Sequence, residues 1–243
     1  MTEGRREAAV TDTYYKWLNP DRTTTYQNVQ WPKRVGVWTP NEIPALCSSG
    51  WHLATHAGIG EHARTGAVLW IAEGRGWQDA REDKVAFTSA RLVSKVGTLT
   101  QVVAVQWAVD CARRVLRHYE AKYPDDKRPR QAINAAAKWA KDPSEKNRNG
   151  AANAAANAYA AAANAYAAAA NAAAAAIAAA NAAAYANAYA AADIADAAAY
   201  AANAAAAAAK ARSSERQWQS DRLLSLLLAT EQEGPTVTED AQI

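Results

Sequence analysis

Two hydrophobic periodicities divide this chain. Up to about residue 97, apolar positions come in short alternating runs separated by turn residues. Such alternation places successive side chains on opposite faces of a strand. Tyr14-Tyr15-Lys16-Trp17-Leu18 reads as a strand ended by Asn19-Pro20-Asp21, and residues 34–38 as a second, ended by Thr39-Pro40-Asn41. Ser48-Ser49-Gly50 turns into Trp51-His52-Leu53-Ala54. Residues 67–73 form the clearest strand, closed by Gly74-Arg75-Gly76, and residues 84–96 the last, with a short helix predicted near 58–64.

From Thr100 the spacing changes. Val103, Trp107, Cys111 and Val115 recur at four-residue steps, joined by Ala104, Ala108 and Ala112, while Asp110, Arg113, Arg114 and Arg117 fall on other faces. That pattern predicts an amphipathic helix ending near Tyr123-Pro124. An Asp ahead of the next helix and Pro129 in its first turn fit a helix start. This second helix carries Ile133, Ala137 and Trp139 and stops near Asp142-Pro143. Residues 144–150 read as a polar linker. A final helix is predicted from Ser213 or Ser214 to about Thr230, bearing Trp218, Leu223, Leu224, Leu226, Leu227 and Leu228.

Between them, residues 151–209 hold 43 alanines, seven Asn, five Tyr, two Ile and two Asp, without Gly or Pro. Alanine loses no side-chain entropy in a helix, so this tract is predicted helical. Asn157, Asn164 and Asn171 recur at heptad spacing, as do Tyr159 and Tyr166. The pattern slips afterwards, which predicts a break around 172–181 and two helices folded on each other. Six of the nine tryptophans lie in the first 77 residues, so the core chemistry changes along the chain. The expected fold class is two domains: a small strand-rich α+β domain over 13–97, then an all-α, alanine-rich helical bundle over 98–230 that folds alone. Residues 1–12 and the acidic tail 231–243 are expected to be disordered.

Charge adds little. Residues 98–150 carry 11 basic and 6 acidic groups, too sparse a surplus for a nucleic-acid footprint without a known module. Cys47 and Cys111 lack zinc-type spacing, so no metal and no cofactor is expected, and the two read as free thiols in a reducing compartment. The alanine tract is interrupted by Asn and Asp, against a membrane span, and no signal peptide opens the chain. A cytoplasmic protein is expected.

Three stretches carry a resemblance. Trp107-Ala108-Val109-Asp110-Cys111-Ala112-Arg113-Arg114-Val115-Leu116 runs on to Tyr119-Glu120. Tyr123-Pro124-Asp125-Asp126-Lys127-Arg128-Pro129-Arg130-Gln131-Ala132-Ile133 is followed by Ala137-Lys138-Trp139-Ala140. Glu215-Arg216-Gln217-Trp218-Gln219 leads to Arg222-Leu223. Over about residues 100–228 the chain resembles the alanine-rich bacterial immunity proteins, which implies binding and neutralising a partner toxin. It departs from them at Asp193 and Asp196, near positions where members carry His. Gly50-Trp51-His52, Ala67-Val68-Leu69-Trp70, Asp83-Lys84-Val85-Ala86 and Ala90-Arg91-Leu92 resemble a small uncharacterised phage and actinobacterial domain over about 14–96.

Candidate chemistry is sparse. His52, His56 and His62, with Glu61, match no standard metal spacing and would have to converge in space to act together. Trp51 and His52 form the alternative site, for an enzyme of ADP-ribosyltransferase type acting on a nucleotide. Asp126, Arg128 and Arg130 read as a hydrogen-bonded lock at the helical turn. Asp193 and Asp196, with Tyr189 and Tyr200, share one broad helix face that would meet either the arginines of the first helix or a basic partner. Three functions follow: an immunity-like binding protein directed at a toxin or host defence factor, a nucleotide-acting enzyme, or a structural protein self-associating through alanine helices.

Overall fold

The computed structural model describes residues 13–162 and 212–232. The expected disorder of 1–12, the break at 172–181, the face bearing Tyr189, Asp193, Asp196 and Tyr200, and most of the acidic tail lie outside the described residues; Glu231 and Gln232 close a helix.

Four antiparallel strands, β1 (Tyr14–Leu18), β2 (Trp51–Ala54), β3 (Val68–Ala80) and β4 (Lys84–Thr98), close into a barrel in the order β1-β2-β4-β3. The alternation read from the sequence sorts their side chains into two buried layers. Leu18, Trp51, Leu53, Val68, Trp70, Val85, Phe87 and Leu92 fill the barrel together with Trp31, whose ring meets Trp51 edge-on at 5.2 Å. Trp17 and Leu69, at the opposite parity, and Val96, beyond the register shifts of β4, point outward yet are also buried, beneath helices. Register shifts on the long β3–β4 hairpin at Leu69/Trp70, Ile71/Ala72 and Arg75/Gln78 bend it enough to close.

Helix α1 (Gln101–Lys122) begins where the Thr100 hydroxyl accepts the Val103 N–H. It is followed by α2 (Arg128–Lys141) and α3 (Glu145–Ala162); α4 (Arg212–Gln232) returns across the barrel. Val103, Trp107, Ala108, Cys111 and Ala112 of α1 are buried with Trp17, Ile59, Leu69, Val96 and Leu99 of the barrel and with Leu223 and Leu227 of α4. The Trp107 indole donates to the Gln219 carbonyl at 3.0 Å, and Arg222 reaches Asp110 at 2.8 Å. No helix among the described residues is long and apolar enough to cross a membrane.

Several expectations need correction. The C-terminal half is not an all-α bundle: β4 runs to Thr98, α1 starts at Gln101, and the helices complete a core that the barrel begins. The described helices bring Trp107, Ile133, Trp139, Leu223 and Leu227 to that core, and the outer face of the barrel adds Trp17, Leu69 and Val96. Residues 34–38 form no strand; they run irregularly beside β4, with the Gly36, Thr39 and Glu42 amides donating to Leu92, Ala90 and Thr88 carbonyls. β3 does not end at Gly74 but continues through it. A Cβ there would lie 2.3 Å from the Phe87 ring, so the glycine makes room for that ring inside the barrel. The helix expected at 58–64 is two single 3-10 turns, His56–Gly58 and Gly60–His62. From Glu145 on, the expected linker 144–150 is the first part of α3, held by Asn147, whose buried amide donates to Asp142 at 2.9 and 2.8 Å.

Candidate functional site

The seam between β1 and β2 is closed by one registered pair, Tyr15 opposite Ala54. Along it lies a cavity of about 240 Å³, lined by Tyr15, Lys16 and Trp17 from β1 and by His52, Leu53 and Ala54 from β2. Residues 24–27 and Cys47, His62 and Lys84 complete it. The loop is shaped locally: the Val29 N–H donates to the Thr24 hydroxyl, and Asn28 adopts a positive φ of 54° that Asn tolerates. At its tip, exposed Tyr26 accepts a hydrogen bond from Arg64, whose guanidinium stacks over the same ring.

Lys16 is the least expected member. It shares parity with Tyr14 and Leu18, which pack inside the barrel, so its ammonium is carried inward. There it donates to the His52 carbonyl at 2.8 Å and lies 5.4 Å from the Trp31 ring centre. Burial pushes its pKa down to about 8. His52 Nε2 accepts the Cys47 N–H at 3.0 Å. Burial, then Lys16, lowers the pKa of His52; burial also lowers that of His62, against the pull of Asp83 at 3.4 Å. Lys84 acts on both imidazoles in the same direction. Near neutral pH the Lys16 ammonium therefore lies beside two neutral imidazoles, and Lys84 completes the lining; among the described residues no carboxylate lines the cavity.

The three histidines separate. His52 and His62 meet at this cavity, whereas His56 turns to α4 and pairs with Asp221 at 3.1 Å. Trp51 and His52, adjacent in sequence, face opposite ways: Trp51 lies inside the barrel and its indole donates to the Pro40 carbonyl at 2.8 Å. Ligand atoms of Glu61, His62 and Asp83 lie within 4.8 Å of one another. These groups are already engaged, since Glu61 pairs with Arg216 of α4 at 2.5 Å and His62 Nε2 lies 3.4 Å from Asp83. A cation would have to displace that guanidinium and sit near Lys84, so the donor set does not fit a metal.

At the α1–α2 turn the charged set divides. Asp126 accepts from the Arg128 side chain at 2.9 and 2.6 Å, from the Arg128 backbone N–H at 3.0 Å and from the Tyr119 hydroxyl at 2.7 Å. Arg130 turns instead to Glu120, at 2.6 and 2.5 Å, with half its side chain in solvent. The bonds from Arg128 hold the Asp126 carboxyl well below the usual carboxylate range, while burial and the bond to Asp126 push Tyr119 up to about 12. A depressed carboxylate contributes stability above its unfolded pKa of about 3.9 and loses it as pH falls toward the folded value. Asp126→Asn should therefore start less stable at neutral pH and lose less on acidification below about pH 4. Denaturant midpoints measured across that range check this, and parallel curves for the two proteins would contradict it. Arg130→Ala, which opens an exposed pair, should shift the midpoint far less.

The described residues thus form a mixed α+β protein whose helices are seated on a barrel with a basic seam. The model of the family described as Imm-5 like putative immunity protein matches residues 94–226, more than half of the chain. The chain belongs to that family. No curated protein matches it, and no solved structure does.

Sequence reasoning missed Lys16, Lys84 and the 24–27 loop. The available signal was the lysine set between Tyr14 and Leu18, at a parity where the strand otherwise buries its side chains.

Proposed function

We propose that this protein neutralises a toxin or a host defence factor by direct protein–protein contact in the cytoplasm. The family match over residues 94–226 is the observation that supports the reading. Interface energy concentrates in Tyr, Trp and Arg, and small alanine side chains offer few distinguishing contacts. Specificity then falls to the few groups that the helices present. Tyr189, Asp193, Asp196 and Tyr200 are the candidates for a basic partner. In a phage-encoded copy the same surface would face a defence factor of the infected cell.

Co-expression with a toxin encoded beside its gene tests the reading. Growth should be restored and the two proteins should co-elute. Asp193→Ala combined with Asp196→Ala should weaken the complex while leaving the circular dichroism spectrum unchanged. Growth restored without any complex would overturn neutralisation by contact.

A further inference from the structure

The seam cavity lies wholly outside residues 94–226, and the immunity reading gives it no role. Lys16 and Lys84 both line it and both act electrostatically on His52 and His62, while the Asp83 carboxylate lies 3.4 Å from His62 Nε2. Arg64 adds a third cation at the rim through Tyr26. Holding an ammonium inside a barrel wall is costly unless a charge of opposite sign compensates it. Among the other lining groups, Thr25 and Gln27 can donate hydrogen bonds to an anion. The remaining wall, Tyr15, Trp17, Leu53 and Ala54, is carbon-rich. A volume of about 240 Å³ is below the roughly 300–1,000 Å³ of most small-molecule pockets, so the ligand must be compact.

We propose that this cavity binds a small phosphomonoester bearing a ring, of about the size of a pyrimidine mononucleotide. The phosphoryl group sits between Lys16 and Lys84, and the ring lies against the Tyr15, Trp17 and Leu53 wall. Lysine suits the first task because it meets phosphate as a point charge without demanding bidentate geometry. The binding is electrostatic at one end and apolar at the other, so both parts of the ligand count.

The chain supplies its own reporter. Of its two cysteines, Cys111 is buried and Cys47 is exposed on the cavity lining. Alkylation of the folded full-length protein by iodoacetamide therefore reads access to the cavity through Cys47. Uridine 5′-monophosphate and phenyl phosphate at millimolar concentration should slow that alkylation and raise the melting temperature. Uridine should do neither, and inorganic phosphate should need about tenfold more ligand for the same protection. The protection should fall as ionic strength rises. Lys84→Gln, on the strand surface, should abolish it with the circular dichroism unchanged, and Lys84→Arg should retain it. Lys16→Gln should act like Lys84→Gln if it folds, and the Lys84 pair carries the test if it does not.

Absence of protection by both esters would overturn the proposal, as would equal protection by uridine, which would remove the phosphoryl group from it. Equal potency of inorganic phosphate would overturn the assignment of the carbon-rich wall to the ligand. Toxin neutralisation that survives Lys84→Gln leaves the immunity reading standing whichever way the ligand test falls.

Discussion

Trp107→Ala is expected to destabilise the whole described structure rather than the helices alone. Its side chain is fully buried in the layer shared by α1, α4 and the outer face of the barrel, and its indole N–H is bonded to the Gln219 carbonyl. Truncating a buried Trp typically costs about 3–5 kcal/mol, a large part of the roughly 5–15 kcal/mol by which proteins are stable. For a chain of this length the melting temperature should fall by roughly 6–20 °C. The sharper expectation concerns cooperativity. Helical circular dichroism and the fluorescence of the barrel tryptophans should move to the lower temperature together. Two separated transitions would mean that the parts are stabilised independently. By the same reasoning, a fragment from Thr98 to Thr230 should be helical yet melt without a sharp transition, because Trp17, Leu69 and Val96 would be missing from its core.

Gly58→Ala should be nearly as damaging for a single added methyl group. A Cβ at Gly58 would lie 1.8 Å from the Asp83 carbonyl oxygen and 2.7 Å from its carbon. The obstacle is backbone at the tip of the β3–β4 hairpin, where the same carbonyl accepts the Thr55 N–H and the Glu82 carbonyl accepts the Thr55 hydroxyl. A flexible side chain could swing aside; this backbone cannot without breaking those bonds. Overpacking typically costs about 1–3 kcal/mol, and rigid surroundings place this case at or above the upper end. Gly150→Ala is the control. It has open space around it inside α3, and should stabilise by roughly 0.5–1 kcal/mol. Thermal melts of the two variants should shift in opposite directions, and an unchanged midpoint for Gly58→Ala would contradict the close approach.

What could be read in the sequence is what depends on neighbouring residues. β1, β2 and β4 announce themselves through alternation bounded by Pro, Gly and Asn, and α1 and α2 through four-residue rows and a proline in the first turn of α2. The failures all involve distant partners. Gly74 reads as a stop until Phe87 is known to lie on it. Residues 34–38 alternate like a strand, yet only scattered amides of the 36–42 segment reach β4, so no ladder forms. The polar start of α3 looks like a linker because its solvent face is charged, while Asn147 anchors the other side. The all-α bundle failed for the same reason: the described helices share their core with Trp17, Leu69 and Val96, which lie on strands earlier in the chain. The cavity was half legible. His52 stood out as a candidate, but its companions Lys16, His62 and Lys84 are assembled by barrel closure, which no local pattern encodes.

The family match opens at residue 94, four residues before β4 ends at Thr98. A recombination junction placed there would cut through a strand whose residues pair with Val68, Leu69, Trp70 and Ile71. It would part Gly97, on which Leu227 of α4 packs closely, from Leu69, its partner on β3. The helical segment therefore cannot be exchanged between proteins as a cassette without a matching barrel to receive it. Viable chimeras should be those whose crossovers fall ahead of Tyr14, so that barrel and helices are inherited together.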